Sequence, residues 1–191
     1  MIWFTSDTHF GHTNILRYCK RPFDTIEAMN DTIVNNWNTQ VQSGDDVYHL
    51  GDFAMTGKTD YKSLLDRLMG NIHLVRGNHD HLNKMPAYLK ERFAWIKDYY
   101  ELVVPDEEMD VDQPIILFHY PILSFNKMHH GSWHLHGHSH GTCKYPDNNA
   151  RMDVSVDRND YKLFSYQDVK DFMTFKAFKP LDHHGTGAPR G

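Results

Sequence analysis

The stretch Val47-Tyr48-His49-Leu50-Gly51-Asp52-Phe53 decides the fold and directs attention to one kind of site. It is a short, mostly apolar run that breaks at a glycine and is followed at once by a carboxylate. A run of this length predicts a buried strand over residues 46–50, and Gly51 permits a sharp turn after it. A polar residue just beyond a strand is typical of α/β sheets, whose sites lie outside the carboxyl ends of the strands.

The same arrangement of a strand followed by a polar residue recurs at four other places in the chain. They are Ser6-Asp7-Thr8-His9, Gly77-Asn78-His79-Asp80, Phe118-His119-Tyr120-Pro121 and Gly137-His138-Ser139-His140. Asp7 and His9 are two residues apart, as are His138 and His140. In extended backbone that spacing puts both side chains on one side, so that one ion could receive both. The recurrence therefore predicts a metal site at one edge of the sheet.

The pattern of the first half of the chain alternates strands with helices, which indicates a largely parallel layer. Strands are predicted over 1–5, 46–50 and 72–75, and helices over 14–19, 25–41 and 61–68, with Thr13 and Asp24 as caps of the first two helices. In the second half, strands are predicted over 95–104, 114–118, 133–135 and 152–156, partly antiparallel, before a helix capped by Ser165. The pattern predicts one α/β domain over residues 1–181 and a disordered Gly/Pro-rich tail over 182–191.

Composition excludes several other classes of protein. The net charge of −5 gives no broad basic surface, which argues against binding to duplex nucleic acid. No run approaches the roughly 20 apolar residues that span a bilayer, so no membrane partner is predicted. The N-terminus lacks a basic flank before Asp7, and the two cysteines, Cys19 and Cys143, cannot form a disulfide framework. We therefore expect a cytoplasmic protein. The unusual feature is histidine, with 15 in 191 residues, most of them in short clusters.

The predicted ligands suit transition metals. They combine oxygen donors with imidazoles, and the set is Asp7, His9, Asp52, Asn78, His119, His138 and His140. Mixed oxygen and imidazole ligation favours divalent Mn, Fe, Zn, Ni or Co, and the lack of thiolates argues against a structural zinc site. Seven protein ligands exceed what one such ion takes but match two ions that share a bridging carboxylate.

In this order, Asp-x-His, Gly-Asp, Gly-Asn-His-Asp, a lone His and Gly-His-x-His resemble the calcineurin-like metallophosphoesterase superfamily, in its small bacterial and phage-type branch. The resemblance implies an α/β fold, a four-layer αββα sandwich with mixed sheets. It also implies one ion held by Asp7, His9, Asp52 and His140, and a second held by Asp52, Asn78, His119 and His138. His79 and Asp80 match the catalytic pair of the family, with His79 protonating the leaving oxygen and Asp80 orienting it.

The implied reaction is hydrolysis of a small phosphate ester, by in-line attack of a hydroxide that bridges the two ions. A phosphodiester, such as a nucleotide or cyclic nucleotide, is favoured over a phosphoprotein. Protein phosphatases carry a phosphate-binding arginine after Gly-Asp, whereas here Gly51-Asp52 continues into Phe53-Ala54-Met55. Two alternatives stay open, a nuclease that acts on single-stranded ends and a non-catalytic scaffold that binds proteins.

Two further residues have two interpretations each. Arg76 resembles the arginine that precedes Gly-Asn-His in protein phosphatases and contacts phosphate there, but it would equally form a structural ion pair. His12, three residues after His9, could contact substrate or be an exposed residue at the start of a helix.

Overall fold

A computed structural model describes residues 1–55, 60–108, 111–144 and 150–175 of the chain. The predicted tail at 182–191 lies outside these residues. The strands are β1 Ile2–Thr5, β2 Asp46–His49, β3 Asn71–Val75, β4 Trp95–Lys97, β5 Tyr99–Val104, β6 Gln113–Phe118, β7 Trp133–His136, β8 Arg151–Asp153 and β9 Phe164–Ser165. The helices are α1 Thr13–Tyr18, α2 Ile26–Gln40, α3 Tyr61–Arg67, α4 Ala87–Lys90 and α5 Tyr166–Thr174.

The strands form two mixed sheets, as the sequence predicted. The first has the order β4-β3-β2-β1-β9, in which β1 to β4 are parallel and β9 runs antiparallel to β1. The second has the order β5-β6-β7-β8, with β5 antiparallel to β6 and the other pairs parallel. The fold class is therefore the predicted α/β arrangement of two mixed sheets with helices.

Two apolar cores hold these layers together. On one face of the first sheet, Trp3, Val47 and Leu74 pack with residues of α2 and α3. Met29, Ile33 and Trp37 recur at helical spacing along α2 and are fully buried. The second core lies between the sheets, where Phe4, Leu50 and Val75 meet Ile115, Leu117 and Leu135, and α5 closes one end. Each fully buried side chain of this kind contributes about 1.5–3 kcal/mol. The outer face of the second sheet is covered by a small cluster of Ile116, Ile122, Phe125 and Met128.

Three local predictions were wrong. The side chain of Thr25, not of Asp24, caps α2 by accepting a hydrogen bond from the Ala28 amide. The residue that precedes α1 is His12, not Thr13, and it makes no side-chain capping bond. The predicted strand over 95–104 is two strands in different sheets, since the chain passes from β4 to β5 at Asp98. An apolar pattern that continues through one polar residue does not reveal a change of sheet.

The topology brings the predicted ligands to one edge of the molecule. The chain segments that follow β1, β2 and β3 leave the first sheet there, and those that follow β6 and β7 leave the second sheet beside them. Parallel connections place these carboxyl ends together, and backbone bonds such as Asp7 N to Gly51 O (2.9 Å) and Gly137 N to His119 O (3.0 Å) join the loops. Within the described part of the chain, no helix is long and apolar enough to cross a membrane.

Candidate metal centre

Two clusters of potential ligand atoms lie side by side at this edge. Asp7, His9 and His140 form one cluster, and Asp52, His119 and His138 form the other, each with its ligand atoms within 4.8 Å of one another. Ligand atoms bound to one transition ion at about 2.0–2.2 Å lie about 3 to 4 Å apart. The separations of His140 Nε2 from Asp7 Oδ1 and of His119 Nε2 from Asp52 Oδ2, both 3.6 Å, fall in this range. We name them the first ion site and the second ion site.

Asp52 lies between the two ion sites. Its Oδ2 is 3.5 Å from His9 Nε2 in the first ion site and 3.6 Å from His119 Nε2 in the second. Its Oδ1 accepts a hydrogen bond of 2.8 Å from the His79 amide, which fixes the plane of the carboxylate. Asp52 therefore lies within reach of both sites, and the bridging role that the resemblance implied stays a prediction.

In the second ion site, His119 directs an imidazole lone pair at other acceptor atoms. His119 Nδ1 donates to the Leu50 carbonyl at 2.7 Å, and burial lowers the pKa of this imidazole to about 4. Neutral His119 therefore presents an unprotonated Nε2 to Asn78 Oδ1 at 3.1 Å and to Asp52 Oδ2. His138 Nδ1 lies 3.0 Å from the same Asn78 oxygen. Converging acceptors repel each other unless a cation lies among them, so these residues fit a metal ion.

The first ion site also contains a buried polar atom that a cation would satisfy. His9 Nε2 is buried and has no hydrogen-bond partner among the described residues. It faces Asp7 Oδ1 at 3.9 Å and Asp52 Oδ2 at 3.5 Å, while His140 Nε2 lies 3.6 Å from Asp7 Oδ1. A buried polar atom without a partner is costly, and a divalent cation would satisfy it.

The backbone at the ligands is not extended, which corrects the reasoning from the two-residue spacing. Asp7, His9, Asp52, His138 and His140 all have positive φ angles, between 46° and 68°. Such conformations cost non-glycine residues about 1–3 kcal/mol each and cluster at functional sites. Moreover, His138 and His140 belong to different ion sites. The spacing alone suggested one shared ion for this pair, whereas the resemblance implied one ion for each, and the assignment of ligands to ions stays a prediction.

Glycines beside the ligands allow the loops to approach closely. A Cβ atom on Gly77 would collide with the Asp52 carboxylate, and one on Gly137 would collide with the Asp7 carboxylate. The Gly137 position also lets the His138 amide donate to both Asp7 oxygens, at 3.1 and 3.0 Å. These two glycines are therefore required by the ligand geometry itself.

Without an ion, the first ion site holds protons. Burial raises the pKa of Asp7 to about 8. Burial alone would lower the pKa of His140, but its hydrogen bond to Asp157 and the charge of Asp7 raise it to about 10. Below these pKa values, protons compete with the metal for the ligand atoms, so affinity is lost as the pH falls.

We therefore expect the affinity for Mn²⁺ to increase from about pH 6 to pH 8, by about tenfold per pH unit for each proton released. Calorimetric titration of metal-stripped protein in two buffers with different protonation enthalpies measures the number of protons. An affinity that does not change across this range would contradict the protonated state of Asp7 and His140.

The two predicted catalytic residues have different surroundings. The His79 ring is half-buried, and its centroid lies 5.4 Å from that of His9 and 5.8 Å from that of His12. It lies outside both three-residue ligand clusters. Asp80 is buried and accepts hydrogen bonds from the backbone amides of Asp52, Gly77 and Phe53 at 2.8, 2.8 and 2.9 Å. These bonds make Asp80 an anchor between the loops after β2 and β3, and its predicted action on the His79 ring stays a prediction.

Arg76 forms a structural ion pair, whereas His12 lies beside the first ion site. Arg76 Nε pairs with Asp98 at 2.7 Å, which is the structural ion pair that the sequence left open. His12 is nearly buried, its Nδ1 is 3.2 Å from His9 Nδ1, and its ring is near His79. His12 therefore belongs to the histidine cluster around the first ion site, although its contact with substrate stays a prediction.

Sequence reasoning missed the residues behind the ligands. Arg21 and Asp157, separated by 136 positions, form a partly buried ion pair in which Asp157 also contacts His140. Neither residue lies in a ligand motif, so only the fold reveals them. His49, inside β2, is fully buried beneath the site and contacts Thr8 Oγ1 at 2.9 Å.

Comparisons with known proteins place the chain among relatives with little functional description. The family model described as calcineurin-like phosphoesterase matches residues 1–188. The uncharacterized protein MJ1445 of Methanocaldococcus jannaschii is 36% identical over 171 residues, 86% of each chain. The gene 66 protein of Mycobacterium phage L5 is 31% identical over 81 residues, covering 41% of this chain and 39% of that protein. The crystal structure of a protein of unknown function, AQ665 from Aquifex aeolicus, has a TM-score of 0.66 at 25% identity, covering 90% of this chain and 98% of that one.

Proposed function

Because the chain belongs to the calcineurin-like phosphoesterase family of metal-dependent phosphoester hydrolases, we propose that it hydrolyses phosphodiesters with two divalent transition-metal ions. The substrate class is a small diester such as a nucleotide or cyclic nucleotide. A cytoplasmic location is part of the proposal, and Cys19 and Cys143 are both free thiols.

The observation that carries the choice of a diester is a pair of cavities, each with predicted ligands in its wall. One cavity, of about 550 Å³, is lined by residues that include Asn78, Asp80, Asn83 and Tyr120. The other, of about 720 Å³, is lined by residues that include Tyr18, Pro121, His138 and His140. A phosphodiester carries two organic groups on one phosphorus, and each cavity has room for one of them. A monoester would leave one cavity without an occupant.

The ion pair of Arg76 in the wall of the cavity of about 550 Å³ also favours a diester over a monoester. Arg76 lines it, but its Nε is bound to Asp98 at 2.7 Å. A terminal phosphate carries about two negative charges and favours a free, bidentate arginine. An arginine that is already paired with a carboxylate neutralises little of the charge of such a dianion. The single negative charge of a diester needs less neutralisation.

The residues of the chain have separable tasks in the proposed reaction. When bound, the two ions supply an activated water as the nucleophile and neutralise charge on the phosphoryl oxygens. The seven predicted ligands hold the ions, with Asp52 positioned for both. His79 stands beside the first ion site, where its imidazole can give a proton to the leaving oxygen. The His12 ring packs against the rings of His9 and His79, with centroids 5.2 and 5.8 Å away.

A substrate panel tests this proposal. Metal-stripped protein reloaded with Mn²⁺ is offered bis(p-nitrophenyl) phosphate, p-nitrophenyl phosphate, 2′,3′- and 3′,5′-cyclic nucleotides, dinucleotides and single-stranded oligonucleotides. The proposal requires higher kcat/KM values on small diesters than on monoesters. Faster hydrolysis of the monoester would contradict it. Preference for oligonucleotides of increasing length would indicate the nuclease instead, and no hydrolysis of any ester would indicate a non-catalytic protein.

The ligand chemistry also predicts the order of metals. Mg²⁺ prefers octahedral sites made of oxygen and retains several waters, whereas four of the seven predicted ligands here are imidazoles. We expect high activity with Mn²⁺, Ni²⁺ or Co²⁺ and low activity with Mg²⁺ alone. Diester hydrolysis by chelator-treated protein, measured with each ion in turn, gives the comparison. Full activity in Mg²⁺ free of transition metals would rule out this ligand set.

A further inference from the structure

Behind the first ion site, a buried arginine and a partly buried aspartate connect distant parts of the chain. The side chain of Arg21 is fully buried, and its Nε and Nη2 donate to Asp157 Oδ1 and Oδ2 at 2.8 and 2.7 Å. Removing such a pair from water costs as much free energy as its attraction returns, so a buried ion pair is weak evidence for a role in stability. Its other contacts indicate a different role.

Arg21 also holds the loop that carries two ligands. Its Nη2 donates to the Asp7 carbonyl at 2.6 Å, and its Nη1 donates to the Thr8 carbonyl at 3.1 Å. Asp7 and His9 have φ angles of 56° and 50°, which the backbone adopts only where other contacts maintain them. A planar guanidinium can bind two carbonyls and a carboxylate at once, which a lysine ammonium cannot do in this geometry.

Asp157 orients the third ligand of the same site. Its Oδ2 accepts a hydrogen bond of 2.7 Å from His140 Nδ1, and His140 Nε2 then faces Asp7. A carboxylate on the far nitrogen of a ligating imidazole fixes its tautomer and its orientation. The ligand atoms of Cys19, His140 and Asp157 also lie within 4.8 Å of one another and could in principle surround an ion. However, the 2.7 Å between His140 Nδ1 and Asp157 Oδ2 is a hydrogen-bond distance and leaves no room for an ion between these two atoms.

The second ion site has its own, separate support. His119 is oriented by the Leu50 carbonyl at 2.7 Å, and His138 is placed by the amide contacts to Asp7 and by Asn78. Neither His119 nor His138 has a hydrogen bond to Arg21 or Asp157 in the described structure. Arg21 and Asp157 thus contact residues of the first ion site directly, and they reach the second only indirectly, through Asp7.

We propose that Arg21 and Asp157 are positioning residues that set the affinity of the first ion site and leave the second unchanged. The inference rests on the proposed dinuclear centre. It assigns a role to two residues outside the ligand motifs, and it predicts that the affinity for each ion can be lowered separately.

The test is a set of Mn²⁺ titrations in which one ion site is removed first. In a His138→Ala background, which disables the second ion site, adding Asp157→Asn is expected to weaken the remaining ion by about 10–100-fold. In a His140→Ala background, adding Asp157→Asn is expected to change the remaining affinity by less than about twofold, because its partner is already absent. Equal losses in the two backgrounds, or no loss in either, would overturn the proposal.

Arg21→Lys is the second variant, and it keeps the positive charge while losing the planar fork. It should weaken the ion that remains in the His138→Ala background and spare the one that remains in the His140→Ala background. The matched control is Asp106→Asn, which disrupts another buried ion pair, that of Asp106 with Lys170 at 2.8 Å. The control should lower the unfolding temperature and leave both affinities unchanged. Loss of metal in the control would mean that these changes act through general stability, and would overturn the proposal.

These titrations use no substrate, so the two proposals fail separately. Protein that binds two ions with the expected pattern but hydrolyses no ester would contradict the proposed function alone. Active protein whose ion affinities are unchanged by Asp157→Asn and Arg21→Lys would contradict the positioning role alone.

Discussion

Asp52→Asn is expected to abolish diester hydrolysis and to reduce bound metal to below about one equivalent per chain. Asp52 Oδ2 lies between His9 of the first ion site and His119 of the second, at 3.5 and 3.6 Å. The substitution removes one negative charge from both sites at once, and the affinity of a metal for its site depends on deprotonated, charged ligands. An asparagine oxygen can still accept from the His79 amide, so the loop that carries Asn78 should keep its conformation.

Two other variants show whether the effect is that of a bridge. Asp7→Asn changes a ligand of the first ion site only, and it should retain more metal than Asp52→Asn. Asp46→Asn makes the same chemical change at the other end of β2, where the carboxylate contacts His73 at 2.9 Å, and should retain activity and both ions. Bound metal is measured by elemental analysis after gel filtration. Two ions retained in both Asp52→Asn and Asp7→Asn would remove the bridging assignment.

His79→Asn is expected to keep both ions and to slow turnover by an amount that depends on the leaving group. General acid catalysis contributes roughly 10²–10⁴-fold, and an alkoxide such as a ribose oxygen needs the proton. A p-nitrophenolate leaves without one. The variant should therefore lose most activity on nucleotide diesters and much less on bis(p-nitrophenyl) phosphate. His79 is outside both ligand clusters, so metal content should not change.

The comparison for His79 needs kcat/KM for both kinds of ester, with metal content measured in parallel. His130→Asn is the control, since His130 is an exposed histidine on the short 3-10 helix Met128–His130. An equal loss on both esters with two ions bound would indicate that His79 stabilises phosphoryl charge and is not an acid. Loss of metal would place His79 among the residues that hold the ions.

The sequence was sufficient to predict the strands that carry the ligands, because each is an apolar run that ends in a glycine or a polar residue. Asp52 after β2 and Asn78 after β3 are examples, and the structure places both at one edge. Their division between two ion sites did not follow from spacing. His138 and His140 are two residues apart but fall in different ligand clusters, and both have positive φ angles, unlike the extended backbone on which the spacing argument depends.

The residues that support the ligands were beyond sequence reasoning for a different reason. Arg21 follows a short helix, and Asp157 lies in a 3-10 turn in the last part of the chain, so no local pattern connects them. Their contact exists only because α1 and the segment after β8 pack on the same loop. The split of the predicted strand at Asp98 has a similar origin, since the ion pair with Arg76 and the change of sheet are both tertiary features.

The most direct test of the proposed dinuclear phosphodiesterase activity is a titration of activity against metal. Metal-stripped protein receives Mn²⁺ in steps below and above two equivalents, and the initial rate of bis(p-nitrophenyl) phosphate hydrolysis is recorded at each step. We expect little activity up to about one equivalent, a steep increase between one and two, and a plateau at two. A plateau at one equivalent, or hydrolysis that does not depend on added metal, would contradict a centre of two ions.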